Sequence, residues 1–115
     1  MLRVLIIIFC TSLFVVNKGL CQPISHQIKV EGGEVLRYSL PFDQQQRIVD
    51  IYIPHSAKGK KGLRTLYMHD GQMLFDAGIT WNKQEWRADE TAARLMAEGK
   101  TRPFLIVGIH TGGKR

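Results

Sequence analysis

Cysteine is nearly absent from this chain, and its absence restricts the chemistry that the chain can perform. Both cysteines, Cys10 and Cys21, lie within the first 21 of the 115 residues. Residues 22–115 therefore contain no thiol, which excludes a disulfide framework, a cysteine nucleophile and a cysteine zinc site there. His26, His55 and His110 show no metal-ligand spacing with one another or with carboxylates. We predict neither a metal site nor a cofactor.

Long apolar runs are also missing. The longest run, residues 4–16, is too short to span a bilayer about 30 Å thick, and no membrane span is predicted. A basic start before this run and small or neutral residues after it are typical of a secretory signal peptide. We predict a signal peptide over residues 1–21, cleaved between Cys21 and Gln22, and a secreted or periplasmic protein. The alternative is a lipoprotein acylated on Cys21, although Leu20 stands where a small residue is expected.

No strong excess of one charge is present. Residues 22–115 keep all but two of the 16 basic residues and all 10 acidic ones. Nucleic-acid binding needs a broad basic face with stacking aromatic residues. The densest basic stretch has glycines and no aromatic residue, and it predicts a solvated loop that binds neither nucleic acid nor a membrane surface. Its cations are Lys58, Lys60, Lys61 and Arg64.

Alternating apolar residues predict two strands, at 35–40 and 47–53. The segment from Pro41 through three glutamines is expected to form the turn between them, and Pro54 to close the second strand. Residues 63–68 and 104–109 are apolar without alternation, as is typical of strands covered on both faces in a parallel sheet. Residues 22–27 have no periodicity and are expected to be a disordered lead-in.

One helix is predicted between the two apolar runs. Gly99 stands just after the predicted helix, where the left-handed conformation that ends many helices favours glycine. Glu90 and Arg94 are spaced to form an ion pair along the helix. Strand, helix, strand forms a βαβ unit with a right-handed crossover. The predicted fold class is therefore α/β, with an antiparallel strand pair followed by a βαβ unit. The helical spacing is carried by Ala88, Ala92, Leu95 and Met96.

The start of this helix has two interpretations. Asn82 with Glu85 three positions later could cap an early turn, or the helix could begin near Trp86. Asp89 and Glu90 then lie in the first turn, where the helix dipole favours acidic residues. Binding of a cation is the alternative role for these two carboxylates.

The segment YMHDGQMLFD, at 67–76, is the most informative part of the chain for function. A buried strand that breaks into a polar, glycine-containing turn commonly presents backbone N–H groups at a reaction site. Trp81, Glu85-Trp86, Asp89-Glu90 and Val107-Gly108-Ile109 follow it in order. With this spacing, from about residue 48 to residue 115, the motifs resemble the putative-esterase family of α/β-hydrolases, which includes enterochelin-esterase-like enzymes.

The resemblance implies an α/β-hydrolase sheet, of which residues 22–115 are the N-terminal, incomplete part. It also implies a serine carboxylesterase that acts through an acyl-enzyme on a small-molecule or glycan ester, such as a siderophore, feruloyl or acetyl sugar ester. In that mechanism one oxyanion donor comes from the loop after the third strand. Gln72 matches this position through its main chain, and Gly71 lets the backbone turn and approach the substrate. Met73 departs from the asparagine often found there.

The nucleophile of such an enzyme has no candidate here. None of the four serines lies within Gly-x-Ser-x-Gly, and the family order places serine, acid and histidine after the oxyanion loop. The resemblance thus implies triad positions beyond Arg115 and a chain that is inactive alone. His69 and Asp70 are not expected to form a catalytic pair, because adjacent residues at a strand end point in different directions. The alternative is a small secreted domain with a non-catalytic binding role, or a remnant domain, and the oligomeric state is not predicted.

Four other side chains have two interpretations each. Trp81 and Trp86 could line a substrate pocket, but packing of the loop against the sheet is favoured because an indole buries a large area. Asp70 and Asp76 could contact substrate or could accept hydrogen bonds from loop N–H groups.

Overall fold

The structure of the protein is a computed structural model that describes residues 23–24 and 27–112. The predicted signal peptide and its cleavage site, Cys21 and Gln22, lie outside the described residues. Short 3-10 turns occur at His55–Ala57, Gly71–Met73 and Ala77–Ile79. The strands and the helix in the described residues are β1 (Gly33–Phe42), β2 (Gln45–Pro54), β3 (Arg64–His69), α1 (Ala88–Ala97) and β4 (Phe104–Ile109).

The strands form one mixed sheet in the order β1-β2-β4-β3. β1 and β4 both pair antiparallel with β2, whereas β3 and β4 pair parallel and place Leu66 opposite Ile106. α1 lies between β3 and β4 in the chain and makes the crossover that parallel strands require. The predicted antiparallel pair followed by a βαβ unit is confirmed.

The hairpin between β1 and β2 differs from its prediction. Phe42 pairs with Gln45, so only Asp43 and Gln44 form the turn. Both have positive φ, 44° and 59°, as a two-residue turn that matches strand twist requires. Pro41 belongs to β1, where it is tolerated because β1 lies at the end of the sheet order.

The helix ends as predicted and begins later than one of the two predicted starts. Gly99 has φ 67°, and its N–H donates to Met96 O at 3.1 Å. The start near Asn82 was wrong, because Asn82 Oδ1 accepts a hydrogen bond from Gln84 N at 3.1 Å and forms a local turn instead. Arg87 is the N-cap residue, with φ 54°. None of the described helices is long and apolar enough to cross a membrane.

The predicted ion pair along α1 is also wrong. Glu90 pairs with Arg87, at the residue before the helix. Arg94 pairs instead with Glu98, with 3.5 Å between Nη1 and Oε1. These pairs are exposed, and each contributes little to stability.

The core lies between α1, β2, β4 and the residues after the 3-10 turn that follows β3. The Tyr52 and Phe75 rings stack with their centroids 5.9 Å apart, and Tyr52 OH donates to Glu31 O at 2.8 Å. Ile28 is also buried, and Ile24 N donates to Arg37 O, so the disordered lead-in was wrong at Ile24. The buried cluster consists of Ile28, Tyr52, Leu74, Phe75, Ala92 and Ile106.

β3 is not covered on both faces by the described residues, contrary to its prediction. It pairs along one side only, with β4, and its Leu66 and Tyr67 side chains are 46% and 69% exposed. β4 lies between two strands and buries Ile106 and Gly108. The apolar runs without alternation therefore predicted the parallel pairing of β3 with β4 correctly, but not the solvent exposure of β3.

Candidate active site

β3 ends at His69, and the chain then turns back over β4 in residues 70–74, named here the 70–74 turn. Asp70 adopts the left-handed conformation, with φ 52° and ψ 45°. Met73 N donates to Asp70 O at 2.8 Å, and Leu74 N donates to Gly71 O at 3.4 Å. Leu74 is 0% exposed, so burial of its side chain fixes the C-terminal end of the turn.

Two glycines let the 70–74 turn lie directly on the backbone of β4. A Cβ added to Gly71 would lie 2.8 Å from His110 Cδ2 and closer still to the Gly108 carbonyl group. A Cβ added to Gly108 would lie 2.8 Å from Leu74 Cδ1. The sequence indicated a close approach of Gly71 to substrate, and the structure adds a close approach to β4.

The side chain of Gln72 ties the turn to the segment after β4. Its Oε1 accepts a hydrogen bond from Thr111 N at 3.1 Å, and its Nε2 lies 3.4 Å from Thr111 Oγ1. The main-chain N–H of Gln72 has no acceptor among the described residues. The side chain of Gln72 thus holds the turn in place, while its main-chain N–H makes no hydrogen bond to the described residues and can donate to a substrate oxygen.

Asp70 accepts from the same group of residues. Its Oδ1 accepts a hydrogen bond from the Thr111 hydroxyl and lies 3.4 Å from Gln72 Nε2. Its carboxylate thereby links the start of the 70–74 turn to the segment after β4.

Arg37, Asp50 and His110 form a group next to the turn, named here the Asp50 cluster, in which Asp50 is buried and the other two side chains are half-buried. Asp50 lies on β2, is 1% exposed and accepts from Arg37 of β1, with Nε at 2.7 Å and Nη2 at 2.8 Å. His110 follows β4, and its Nε2 lies 2.7 Å from Asp50 Oδ2. Such a bidentate, charge-assisted arrangement is geometrically restrictive.

The electrostatics of the Asp50 cluster favour an ionised carboxylate. Burial alone would raise the pKa of Asp50, but hydrogen bonds from Arg37 and His110, together with their charges, outweigh it and lower that pKa below its usual value. At neutral pH the cluster therefore contains a buried carboxylate with two donors. Removal of either donor leaves part of that charge uncompensated.

The sequence did not reveal the Asp50 cluster. Alternation along β2 placed Asp50 and Tyr52 opposite the apolar face, yet both are buried, at 1% and 0% exposure. The reason is that the core lies on the Asp50 and Tyr52 face of β2, where Tyr52 stacks on Phe75, whereas Ile51 and Ile53 on the opposite face are only half-buried. The available signal was the charge pair itself, since Arg37 is directly opposite Asp50 in the hairpin register.

The two tryptophans are exposed, contrary to the favoured packing interpretation. Trp81 is 85% exposed and Trp86 is 53% exposed in the described part of the chain. Trp86 N donates to Met73 O at 2.8 Å, so this indole is attached next to the 70–74 turn. The position leaves the substrate-pocket interpretation open for both residues.

The remaining carboxylates have structural contacts. Asp76 Oδ1 accepts from Gly78 N at 2.8 Å and Oδ2 from Lys29 N at 3.1 Å, which confirms its role for loop N–H groups. Asp89 and Glu90 lie in the first turn of α1, as predicted. Asp89 is buried there and accepts a hydrogen bond from Glu31 N at 2.6 Å.

Two buried carboxylate oxygens lack a hydrogen-bond partner among the described residues, Glu85 Oε2 and Asp89 Oδ1. Burial raises the pKa of Asp89, and burial with the nearby charges of Asp89 and Glu90 raises the pKa of Glu85. Within the described residues no three His, Cys, Asp or Glu side chains are grouped so as to hold a metal ion.

Comparison with known proteins adds a family and a fold. A family model described as Putative esterase matches residues 43–115. A solved structure titled ferulic acid esterase is similar, with a TM-score of 0.50 and 19% sequence identity over 74% of this chain and 32% of that one. At this identity the likeness shows the fold alone, and this chain spans about a third of that chain's length. No curated protein matched.

Proposed function

The chain belongs to the putative esterase family, and on this basis we propose that it is the N-terminal part of an exported serine carboxylesterase. The enzyme hydrolyses a carboxylic ester through an acyl-enzyme. The observation that carries the proposal is the 70–74 turn, which is tied to the segment after β4 and presents a main-chain N–H, that of Gln72, with no acceptor among residues 23–24 and 27–112.

The chemical role of this N–H follows from the charge that develops during ester cleavage. Attack on the carbonyl carbon places negative charge on the ester oxygen, and a fixed N–H donor stabilises it without reorganisation. Loss of one such donor costs about 2.7–4 kcal/mol of transition-state stabilisation. In the proposed enzyme Gln72 N–H is one donor, and the residue after the nucleophile supplies the other.

The catalytic serine, acid and histidine follow this segment in the proposed complete protein. The chain covers 32% of the similar esterase structure, which supports a longer enzyme. The serine of such enzymes lies in Gly-x-Ser-x-Gly on a strand-to-helix turn.

We assign the exposed indoles to substrate contact. Trp86 is attached next to the 70–74 turn, and Trp81 lies five positions before it in the same loop. Indole faces bind flat apolar groups such as aromatic acyl groups and sugar rings. The proposed substrate is therefore a small-molecule or glycan ester, while Asp70 positions the turn through Thr111.

Export rests on residues 1–21 and is tested separately. Intact-mass measurement of the exported protein should show a new N-terminus at Gln22. A diacylglyceryl group on Cys21 would instead identify a lipoprotein.

The function is tested with the protein expressed from its complete coding sequence. It should hydrolyse p-nitrophenyl acetate, and replacement of the Gly-x-Ser-x-Gly serine by alanine should abolish turnover. A complete sequence without that motif, or without hydrolysis, contradicts the proposal. Under the alternative hypothesis of a small binding domain, residues 22–115 alone should unfold cooperatively as a monomer.

A further inference from the structure

His110 lies between the buried ion pair of Arg37 with Asp50 and the 70–74 turn. Its Nε2 is 2.7 Å from Asp50 Oδ2, and the residue after it, Thr111, is hydrogen-bonded to Gln72. We propose that His110, held by Asp50 and Arg37, is the positioning residue that fixes the oxyanion donor of Gln72. The catalytic part of this inference rests on the proposed function, whereas the geometric part does not.

The first step is the orientation of the His110 ring. A carboxylate can only accept, so the close contact with Asp50 Oδ2 requires a hydrogen on His110 Nε2. Arg37 Nη2, 3.5 Å from the same nitrogen, is then a second donor beside it and not its hydrogen-bond partner. Arg37 therefore fixes the carboxylate, and the carboxylate fixes the ring.

The second step is the contact of that ring with the turn. Cδ2 is bonded to Nε2, so the edge that is held by Asp50 also carries the atom that faces Gly71. A Cβ on Gly71 would lie 2.8 Å from His110 Cδ2, so the ring occupies the space that a side chain at position 71 would need. The imidazole acts as a rigid spacer between Asp50 and Gly71.

The third step is the main chain of His110. Its N–H donates to Ile48 O at 3.0 Å, and its carbonyl oxygen accepts from Arg47 Nη1 at 3.1 Å. Both contacts are with β2, so the backbone and the ring of His110 are held by the same central strand. The position of the next residue is thereby restricted.

The fourth step connects His110 to Gln72. Thr111 N donates to Gln72 Oε1 at 3.1 Å, and the Thr111 hydroxyl donates to Asp70. A displacement of residues 110–111 therefore moves the side chains of Asp70 and Gln72, the two residues on either side of Gly71. Because a donor displaced from its aligned position stabilises an oxyanion less, this effect appears in the transition state.

The inference is tested in the complete protein with two substitutions of His110. His110→Leu keeps a similar volume but removes the donor, whereas His110→Gln retains an N–H that reaches Asp50. Amide hydrogen exchange of the 70–74 peptide should accelerate about tenfold in His110→Leu, because a hydrogen bond to a charged group is lost. Exchange should return close to the parent rate in His110→Gln.

Tyr52→Phe is the matched control. It removes a buried hydrogen bond to Glu31 O in the core and leaves the ring in place. It should lower the midpoint of thermal unfolding without changing exchange in residues 70–74. Equal acceleration in Tyr52→Phe and His110→Leu would show a general loss of stability and overturn the inference.

Kinetics give the catalytic readout. With p-nitrophenyl acetate, kcat per active site should fall about tenfold in His110→Leu while KM changes less than about twofold, since the donor acts on the transition state. Thr111→Val removes the hydroxyl that donates to Asp70 and should lower kcat in the same way, but by a smaller factor. Because Thr111 is exposed, this variant replaces His110→Leu in the test if His110→Leu does not fold. Unchanged exchange in both variants overturns the positioning role. A parent protein without esterase activity contradicts the proposed function, while the exchange measurement still decides the geometric part.

Discussion

The main chain of Gly71 lies against that of Gly108, so that a Cβ on Gly71 would be 2.6 Å from the Gly108 carbonyl carbon and 2.7 Å from its oxygen. Neither atom can move without displacing β4. The 70–74 turn is therefore positioned by backbone contact with the neighbouring parallel strand. A side chain at either glycine would separate the turn from β4.

Gly71→Ala tests this contact. The added methyl group should lower the free energy of unfolding by about 1–3 kcal/mol, as is usual for overpacking. It should also reduce esterase kcat of the complete protein about tenfold or more, because the Gln72 N–H moves with the turn. Urea denaturation and steady-state kinetics measure the two effects.

The control for Gly71→Ala is Gly59→Asn. Gly59 has φ 73° with nothing within 4 Å of an added Cβ, and asparagine tolerates that conformation. This variant should keep both stability and kcat near the parent values. Full activity in Gly71→Ala would show that the turn does not depend on the contact.

Gln72→Ala separates the side chain of Gln72 from its main chain. The substitution removes the hydrogen bond from Thr111 N but keeps the Gln72 N–H. If the main-chain N–H is the donor, the substitution leaves it less well positioned and kcat should fall about tenfold. Loss of the donor itself would lower kcat about 10²–10³-fold. A fall in the larger range would identify the side-chain amide as the oxyanion donor.

Asp50→Asn should lower the free energy of unfolding most at neutral pH. The folded-state pKa of Asp50 is lowered, so its contribution is present above the unfolded value of about 3.9 and is lost as pH falls through the folded pKa. At pH 7 the substitution should cost about 3 kcal/mol, because Arg37 loses its buried partner charge. The difference between parent and variant should shrink below about pH 4. A difference that stays constant from neutral pH to acid would argue against an ionised Asp50.

Asp89→Asn should show the opposite pH trend. Burial raises the folded-state pKa of Asp89, so its ionisation is unfavourable in the folded protein. This cost is absent below the unfolded value of about 3.9 and develops as pH rises through the folded pKa. Relative to the parent, the variant should therefore become more stable as pH increases. Denaturant unfolding between acid and neutral pH measures the sign, and a difference of the reverse sign contradicts the burial argument.

The sequence predicted the elements that depend on local pattern. β4 and the end of α1 at Gly99 were correctly placed, because an uninterrupted apolar run and a C-terminal glycine are local signals. The Asp43-Gln44 turn was not found, since neither residue is the glycine that such a turn usually contains. This error hid the register that places Arg37 opposite Asp50.

The site itself was predictable only in part. Gly71 and Gln72 were predicted from a motif, whereas Asp50 on β2, and His110 with Thr111 after β4, reach the 70–74 turn from two other segments of the sheet. Residues 110–111 have no distinctive sequence pattern. Their contacts depend on β4 lying between β2 and β3, which a single sequence does not encode locally.

Trp86→Ala should separate recognition of the acyl or sugar group from the chemical step. Trp86 is 53% exposed and is hydrogen-bonded through its main chain to Met73 O, beside the 70–74 turn. If its indole contacts a planar substrate group, the alanine variant should raise KM for aromatic acyl or glycan esters by about three- to tenfold, the contribution expected of one ring contact. KM for a small aliphatic ester such as ethyl acetate should change little, because neither its acyl nor its alcohol part carries a ring for the indole to contact. Ile79→Ala, which removes a 41% exposed apolar side chain from the same loop, serves as the control and should leave both KM values unchanged. Equal effects of Trp86→Ala on large and small esters would instead mean that the indole supports the turn and does not select the substrate.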